Sequence, residues 1–298
     1  MENSLAIIGA GRVGRALGRR LREQEWKIGA VVTRSEASAR RAARFIGAGE
    51  PHAGMTRQIL ASRVILIATP DDEIEGVAQE LSRIGAEELR GKVVLHTSGA
   101  LDASVLHVLK GNGADVGSMH PLQSFSGFAV PSLEGKAFAV EGDTGAVRVG
   151  RRIARSLGGS PVRIAGGKKA LYHAAAAMAA AQVLAVEEAA TQLLVSIGMR
   201  RSEAVRALLP LTRQVLENFE RLGPRAAWTG PLSRGDYRVL RAHQEALRES
   251  PAEFAEAYQS LNRLAARVLA QDVRGMLAEL EKIAAGNKTK AKVMGGNA

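Results

Sequence analysis

The chain has 298 residues, 46% of them hydrophobic, which predicts a globular protein of about two domains. It has no cysteine, and this excludes disulfides, thiolate nucleophiles and cysteine-ligated zinc. The net charge of +11 is compatible with binding to nucleic acid. The arginines, however, are scattered along predicted helices, and few aromatic residues accompany them. We therefore expect no nucleic-acid partner.

The N-terminal residues lead directly into the first predicted strand. Only Met1 to Ser4 precede it, which leaves no room for a signal peptide. In the sequence, no apolar run approaches the length that a membrane span needs. These features predict a cytoplasmic protein with no membrane partner.

The first motif is a strand, a glycine-rich turn and a helix. An apolar run at 5–8 predicts a buried strand, and apolar residues from Val13 to Leu21 at helical spacing predict the helix. The glycines between them allow a tight turn and a close approach of the backbone to a pyrophosphate. A merely structural turn is the alternative. We predict a dinucleotide site formed by Gly9, Ala10, Gly11, Arg12, Val13 and Gly14.

The second predicted strand, 27–34, ends in residues that suit a phosphate. Sites selective for NAD place Asp or Glu here to bind ribose hydroxyls, whereas an arginine suits the 2′-phosphate of NADP. Glu36 keeps NAD open as an alternative, and Arg34 could be a solvated loop charge. We predict NADP as the cofactor, because hydroxyls and guanidinium groups gather at this strand end and on the next helix, 35–45: Thr33, Arg34, Ser35, Arg40 and Arg41.

The next buried strand ends at a second position that should line the cofactor. A turn is predicted at 47–54 and a short helix at 55–61, and the apolar strand then ends at Thr69 and Pro70. Ligands of a doubly wound sheet gather at the carboxyl ends of its strands. Both residues are therefore expected to contact the cofactor.

Two carboxylates follow that strand. Asp71 and Asp72 precede a helix predicted at 73–84. Aspartate is a common helix cap because its oxygen accepts hydrogen bonds from free N–H groups of the first turn. We predict capping for this pair, with catalysis as the alternative.

Polar residues follow two further predicted strands. One exit loop contains His96, Thr97, Ser98 and Gly99, and the other contains His120. Exit loops of neighbouring strands converge on one site, so we expect Thr97 to contact the cofactor and Ser98, Gly99 and His120 to contact the substrate. A structural role for either histidine is the alternative. The sheet closes with strands at 135–140 and 161–164 around a helix at 146–157.

Beyond residue 165 the sequence predicts only helices, broken by glycine and proline. The predicted fold class is α/β: an N-terminal Rossmann domain with a doubly wound parallel sheet, and an all-helical C-terminal domain. Its long first helix opens with Lys169 and His173 on one face, which is expected to point into the cleft. We predict three segments: a dinucleotide-binding domain at 1–165, a helical substrate and dimerisation domain at 166–286, and a disordered tail at 287–298.

A polar loop at 228–236 interrupts the helices. It contains Arg234 and Asp236 among turn-forming residues. The sequence is equally compatible with a structural arginine–aspartate pair and with an anion-binding loop.

Five ordered motifs give the chain a family resemblance. Together they resemble Rossmann-like proteins with a DUF2520 domain, which are related to pyrroline-5-carboxylate reductases and β-hydroxyacid dehydrogenases. The resemblance implies an NADP-binding domain and a homodimer formed through the helical domain. The motifs are the glycine turn, His96-Thr97-Ser98-Gly99-Ala100-Leu101, the stretch Gly117 to Phe125, Lys169-Ala-Leu-Tyr-His173, and Thr229 to Asp236.

The wider superfamily implies a mechanism. In β-hydroxyacid dehydrogenases a lysine near the start of the interdomain helix acts as acid or base, and an asparagine one turn later orients the substrate. Lys169 matches that lysine, whereas His173 replaces the asparagine, so a 3-hydroxyacid substrate is not implied. We also expect catalytic roles for His173, His120 and Ser98, with Arg234 holding the anionic group of a substrate.

These features predict an NADP-dependent oxidoreductase that transfers a hydride between nicotinamide and the C=O or C=N of a small anionic metabolite. No metal ligand set is predicted. The alternative is a non-catalytic NADP(H)-binding protein with a regulatory or assembly role.

Overall fold

A computed structural model describes residues 3–127 and 129–294, with side chains through residue 285. The chain forms two compact units, Met1–Ala180 and Ala181–Ala298. The boundary between the units therefore lies inside the long helix, later than the predicted domain boundary at residues 165 and 166.

The first unit is built on an eight-stranded sheet. The strand order is β3-β2-β1-β4-β5-β6-β7-β8, and every neighbouring pair is parallel except the antiparallel pair β6 and β7. This arrangement confirms the predicted fold class. The strands are β1 (Ser4–Ile8), β2 (Lys27–Thr33), β3 (Glu50–Ala53), β4 (Val64–Ile67), β5 (Val93–His96), β6 (Asp115–Pro121), β7 (Ala137–Gly142) and β8 (Ser160–Arg163).

Helices cover both faces of the sheet, so the central strands are buried on both sides. Along β1, Leu5 and Ile7 belong to one apolar core, whereas Ala6 and Ile8 belong to the other. This is why the strand is a continuous apolar run rather than an alternating one. The helices of this unit are α1 (Arg12–Glu23), α2 (Glu36–Ile46), α3 (Ile74–Gly85), α4 (His107–Gly111), α5 (Thr144–Ser156) and α6 (Lys169–Ala177).

The strand β3 corrects the sequence interpretation, which placed a turn at 47–54. This edge strand pairs in parallel with β2 and contains Pro51 and His52 between polar and small residues. An edge strand tolerates proline because one side of it needs no ladder hydrogen bonds. Its short, weakly apolar sequence therefore gives no strand signal.

The second unit is helical. The helix that begins with α6 passes through a π-helical turn, Met178–Gln182, before α7. A small apolar core is formed by Leu232, Leu240, Ala266, Leu280 and Ile283. The remaining helices are α7 (Val183–Ser196), α8 (Arg201–Leu222), α9 (Pro224–Ala227), α10 (Tyr237–Ala246), α11 (Ala252–Leu269) and α12 (Val273–Met294).

The helix Lys169–Ser196 is long and apolar enough to cross a membrane by length and composition. The expectation that no apolar run approaches that length is therefore wrong. One such helix is weak evidence for a membrane, since core helices of soluble proteins share the property. Its most apolar window is nevertheless unburied within the described part of the chain. The predicted cytoplasmic location stays a prediction.

The disordered tail predicted at 287–298 lies wholly outside the described side chains. The backbone of α12 continues to Met294, and residues 295–298 are not described.

Candidate functional site

The glycine turn has the geometry that its sequence predicts. Gly9 has a φ of +85°, and a Cβ there would lie 2.6 Å from the Thr69 amide nitrogen, so no other residue fits without displacement. A Cβ on Gly11 would meet nothing within 4 Å, because the turn is open on that side. Gly11 is also the N-cap of α1 and provides no side chain to cap it. The N-terminus of α1 can therefore accept an anion.

A cavity of about 580 Å³ lies beside this turn, at the carboxyl ends of β1, β2 and β4. The Thr69 hydroxyl oxygen is buried there, with no hydrogen-bond partner among the described residues. A buried polar atom without a partner is costly, so this hydroxyl fits a hydrogen bond to water or to a ligand in the cavity. The cavity is lined by, among others, Gly9, Ala10, Gly11, Thr33, Arg34, Ser35, Ser38, Thr69 and Pro70.

The rim of the cavity at the end of β2 is rich in donors. The Ser35 hydroxyl lies 3.0 Å from that of Ser38, and Arg41 donates to the Ser38 hydroxyl over 2.9 Å. The interpretation from sequence included Ser35 and Arg41 but missed Ser38, although its position in the first turn of α2 brings it beside Ser35. Two hydroxyls and a guanidinium group thus gather at one point, as a phosphate requires.

Other charges at this rim have partners. Glu36 receives a hydrogen bond of 2.7 Å from Arg40 on α2. This pairing weakens the alternative in which Glu36 binds ribose hydroxyls of NAD. The side chain of Arg34 is 91% exposed, and its guanidinium group lies 3.5 Å from the Glu73 carboxylate.

Asp71 does not have the predicted capping role. Its carboxylate accepts a hydrogen bond of 2.8 Å from the Ser98 hydroxyl. Helix α3 has Glu73 at its N-cap and no side-chain capping bond, so the prediction for Asp71 and Asp72 is wrong. Capping was a local expectation, whereas the observed contact joins the exit loops of two neighbouring strands.

Ser98 is the centre of a buried polar network. Its hydroxyl oxygen also accepts the backbone N–H groups of Ala100 and Leu101, at 3.1 and 3.0 Å. Its carbonyl accepts a hydrogen bond of 2.9 Å from the Lys169 ammonium group. The sequence interpretation placed Ser98 against the substrate. In the structure Ser98 is 4% exposed and fixes the exit loop of β5.

Lys169 is buried, with 1% of its surface exposed. Burial lowers the pKa of its ammonium group to about 8, and the carboxylates of Glu141, Asp71 and Asp102 oppose that shift. Glu141 was not expected from sequence. It is buried on β7, where its carboxylate accepts the Ala103 N–H at 2.8 Å.

His96 has a structural environment. Its Nδ1 accepts the backbone N–H of Ser98 at 3.2 Å, which leaves its Nε2–H to donate to the Asp102 carbonyl at 3.1 Å. The side chain is fully buried, and this lowers its pKa to about 4. Of the two predicted histidines, His96 is therefore the one whose hydrogen-bonding capacity is already filled.

His120 lies in a different kind of environment. Its Nδ1 is 2.9 Å from the hydroxyl oxygen of Tyr172, and its ring is edge-on to the exposed ring of His173, with centroids 6.0 Å apart. Burial lowers the pKa of His120 to about 4, and the charges of Lys169 and His173 act in the same direction. Tyr172 was missed because a tyrosine on a helix carries no sequence signal for a polar partner.

Gly99 packs against these two imidazoles. A Cβ at this position would lie 2.5 Å from Cδ2 of His173 and 3.0 Å from Nε2 of His120. Glycine is therefore required by the close approach of the rings. The structure brings together six of the predicted residues, namely Thr97, Ser98 and Gly99 on one loop, with His120, Lys169 and His173 beside it.

The loop with Arg234 lies in the second unit. Asp236 caps α10 by accepting the Val239 N–H at 3.3 Å, and Ser233 donates to the Gly230 carbonyl at 2.8 Å. These local bonds account for Asp236 without an ion pair to Arg234. Arg234 is exposed, and its predicted contact with substrate stays a prediction.

Family models match two parts of the chain. A Rossmann-like domain matches residues 2–121, and the domain of unknown function DUF2520 matches residues 136–265. The chain is therefore a Rossmann-like protein that carries a DUF2520 domain, as the motifs predicted. No curated protein matches the sequence.

Solved structures share the fold. A protein from Thermotoga maritima is 24% identical over 95% of this chain and 99% of its own, with a TM-score of 0.66. A candidate NADP oxidoreductase from Bacteroides fragilis is 23% identical over 88% and 97%, with a TM-score of 0.68. A reductive aminase from Aspergillus terreus in complex with NADPH and ethyl-5-oxohexanoate is 19% identical over 90% and 94%, with a TM-score of 0.68.

Proposed function

We propose that the protein is an NADP(H)-dependent oxidoreductase that moves a hydride between nicotinamide and the C=O or C=N of a small anionic metabolite. The observation that carries the proposal is the donor cluster of Ser35, Ser38 and Arg41 beside an open glycine turn. The NADPH complex of the reductive aminase, which has the same fold, supports the same cofactor. The buried positive charge of Lys169 favours an anionic substrate.

The residues of the cavity fit this cofactor. The turn from Gly9 to Gly14 would hold the pyrophosphate, and the donor cluster would hold the 2′-phosphate. The partnerless Thr69 hydroxyl would bind a ribose hydroxyl. When bound, the nicotinamide supplies or accepts the hydride, and the chain has to position the substrate and provide a proton.

Binding of the two dinucleotides tests the cofactor. We expect NADPH to bind the wild-type protein more tightly than NADH in a fluorescence titration. Arg41→Ala should weaken NADPH binding by about 10- to 100-fold, since a charge-assisted bond to phosphate contributes about 1.5–3 kcal/mol, and should leave NADH binding nearly unchanged. Arg44→Ala, a change of an exposed arginine on the same helix, is the matched control.

A second substitution tests the glycine turn itself. Gly11→Asp places a carboxylate where the open turn would meet the pyrophosphate, so both dinucleotides should lose affinity. If NADPH still binds Gly11→Asp as it binds the wild type, the cofactor lies elsewhere and the proposal fails.

The role proposed for Lys169 changes with its burial. The sequence interpretation gave it proton transfer to a developing alkoxide or amine. Its ammonium group is buried and bonded to the Ser98 carbonyl, so we propose that it positions the loop of Ser98 and Gly99 and provides positive charge. His173, which the sequence interpretation made a catalytic residue, is exposed beside Gly99, and we propose that it orients the substrate.

The catalytic claim is tested by turnover. NADPH should be oxidised above background by at least one class among keto acids, aldehydes and imines. The buried Lys169 and the histidine in place of asparagine favour a second candidate, a non-catalytic NADP(H)-binding protein. Tight NADPH binding without turnover of any of these classes would support that second candidate.

We also propose a homodimer formed through the helical unit. Exposed apolar side chains lie along α7 and α8, among them Leu184 (70% exposed) and Leu216 (56%). A protein partner fits better than lipid, because Glu187 and Glu188 lie on α7 and buried carboxylates are costly in lipid. Light scattering should show a dimer for the wild type and a monomer for Leu184→Glu. Gln58→Glu, on an exposed residue of the first unit, is the control.

A further inference from the structure

The polar groups near the exit loops of β5 and β6 are of two kinds, those that are buried and hydrogen-bonded and those that are partly exposed. Ser98 and Lys169 are bonded to each other and are 4% and 1% exposed, and His96 is fully buried with both ring nitrogens bonded. Ser98 and His96 cannot give a proton to a substrate without breaking a buried bond, and Lys169, although only one of its three N–H groups is bonded, is too deeply buried to reach one. Tyr172 and His120 are only partly buried.

These two residues form a proton-transfer pair by geometry. The Tyr172 hydroxyl oxygen lies 2.9 Å from Nδ1 of His120, which is within transfer distance. The opposite ring nitrogen, Nε2, lies on the side of Gly99 and the exposed His173. The Nδ1 atom can thus exchange a proton with Tyr172, while Nε2 on the opposite side receives a proton from solvent.

Lys169 provides the charge that such a pair needs. Its ammonium group lies 5.5 Å from the centroid of the Tyr172 ring. A cation beside the ring favours the negative charge that develops on the phenol oxygen when it loses its proton. Burial by itself raises the pKa of Tyr172, so an unassisted tyrosine would be a weak donor.

We propose that Tyr172 is the proton donor of the reaction and that His120 restores its proton, a role that rests on the proposed oxidoreductase function. The substrate carbon accepts a hydride from the reduced nicotinamide dinucleotide, while its oxygen or nitrogen accepts the proton of the Tyr172 hydroxyl. The phenolate then takes the proton from Nδ1 of His120, and Nε2 takes one from water, which leaves as hydroxide. The imidazole is then the neutral Nε2–H tautomer, and proton exchange with solvent returns it to the Nδ1–H tautomer before the next turnover.

The first experiment compares two tyrosines of the chain. Tyr172→Phe should lower kcat by about 100-fold or more, the usual contribution of a positioned acid, with NADPH affinity unchanged. Tyr258→Phe is the matched control, because Tyr258 also lies beside a histidine nitrogen, Nδ1 of His243, at 2.8 Å. It should leave kcat unchanged. Tyr172→Phe with wild-type kcat would overturn the proposal.

The pH profile separates a proton donor from a structural tyrosine. Above pH 10, the alkaline limb of kcat in the wild type should reflect ionisation of Tyr172, which contacts His120 and lies beside Lys169. His120 in turn faces His173 and feels the charge of Asp71. The small residual activity of Tyr172→Phe should lose that limb. A limb above pH 10 that persists in this variant would contradict the assignment, because Lys169, with a pKa of about 8, titrates below that range.

A spectroscopic titration needs no substrate. The tyrosinate absorbance that is missing from Tyr172→Phe assigns Tyr172 among the three tyrosines. His120→Ala removes the Nδ1–H donor, so the pKa of Tyr172 should rise further, and added imidazole should partly reverse the rise. An unchanged Tyr172 titration in His120→Ala would overturn the pairing. Absence of turnover in the wild type, with this coupling intact, would count against the proposed function alone.

Discussion

Two histidine–tyrosine pairs of the same geometry occur in the two units. His120 and Tyr172 have ring centroids 5.7 Å apart at 82°, and His243 and Tyr258 have them 5.8 Å apart at 78°. Both tyrosines have a raised pKa through burial. Their surroundings differ, because His120 is partly buried beside the charge of Lys169, whereas His243 is exposed on a helix.

The difference shows that a hydrogen bond does not by itself mark a functional pair. A proton donor needs a charge that stabilises its ionised form and a low-dielectric surrounding in which that charge is effective. Among the described side chains, a cation lies over the ring of Tyr172 but none over that of Tyr258. The first pair therefore has the environment for chemistry, and the second has that of a surface contact.

The largest expected effect comes from Gly99→Ala, which should disrupt the first pair and spare the second. The new Cβ would meet His173 and His120, and relief of such overlap costs about 1–3 kcal/mol. Urea unfolding should show that loss. Gly76→Ala, in α3 with nothing within 4 Å of the new Cβ, should be neutral or stabilising. Equal stabilities of the two variants would refute this packing argument.

Acid should act on the first pair next most strongly. The pKa of His120 is about 4 in the folded protein and about 6.5 in an unfolded chain, so the unfolded state binds the proton first as pH falls. Its contribution to stability is therefore present above pH 6.5 and is lost progressively down to pH 4. In unfolding measured across that window, His120→Asn should flatten the slope more than His243→Asn does. If the unfolding free energy of His120→Asn falls more steeply with acid than that of His243→Asn, protonation of His120 is not the cause of the acid destabilisation.

Loss of the Tyr258 hydroxyl, in the second pair, should have a smaller effect on the free energy of unfolding. Tyr258→Phe removes the bond to His243, which is worth about 0.5–1.5 kcal/mol of unfolding free energy. Thermal unfolding should detect this loss, while NADPH binding and turnover stay at wild-type values. A fall in turnover would give the second pair a functional role that its surroundings do not suggest.

The smallest expected effect is on the titration of His120. Burial is the main cause of its lowered pKa, and Lys169 adds to it, so Lys169→Met should raise that pKa only in part. Nuclear magnetic resonance of the imidazole protons would follow this change. Lys169→Arg, which keeps the charge, should leave the pKa of His120 lower than Lys169→Met does.

Local sequence features predicted the sheet and the cofactor turn well. The apolar run of β1 and the spacing of Gly9 and Gly11 are constraints within one short segment, and the structure confirms that strand, turn and helix follow one another. β3 was missed because an edge strand needs little apolar surface. The antiparallel β7 was not foreseen either, since strand direction depends on the connection rather than on the strand sequence.

The candidate site was predicted only as a set of residue types at strand ends. The sequence interpretation placed Ser98, His120 and Lys169 in the same region. It made Lys169 the proton donor, however, and Asp71 a helix-capping residue. It could not show that Asp71 accepts a hydrogen bond from Ser98, which lies 27 residues further along the chain. Nor could it show that His120 contacts Tyr172, which lies 52 residues further along.

The sequence by itself determined the βαβ turn with its anion-accepting helix end, because φ requirements and apolar periodicity act over a few neighbouring residues. Only the tertiary structure decided which polar groups are buried and which are accessible to substrate and solvent. Whether Lys169 or Tyr172 can release a proton depends on desolvation and on partners from other strands and helices. Those quantities arise when the chain is folded and have no counterpart in the order of its residues.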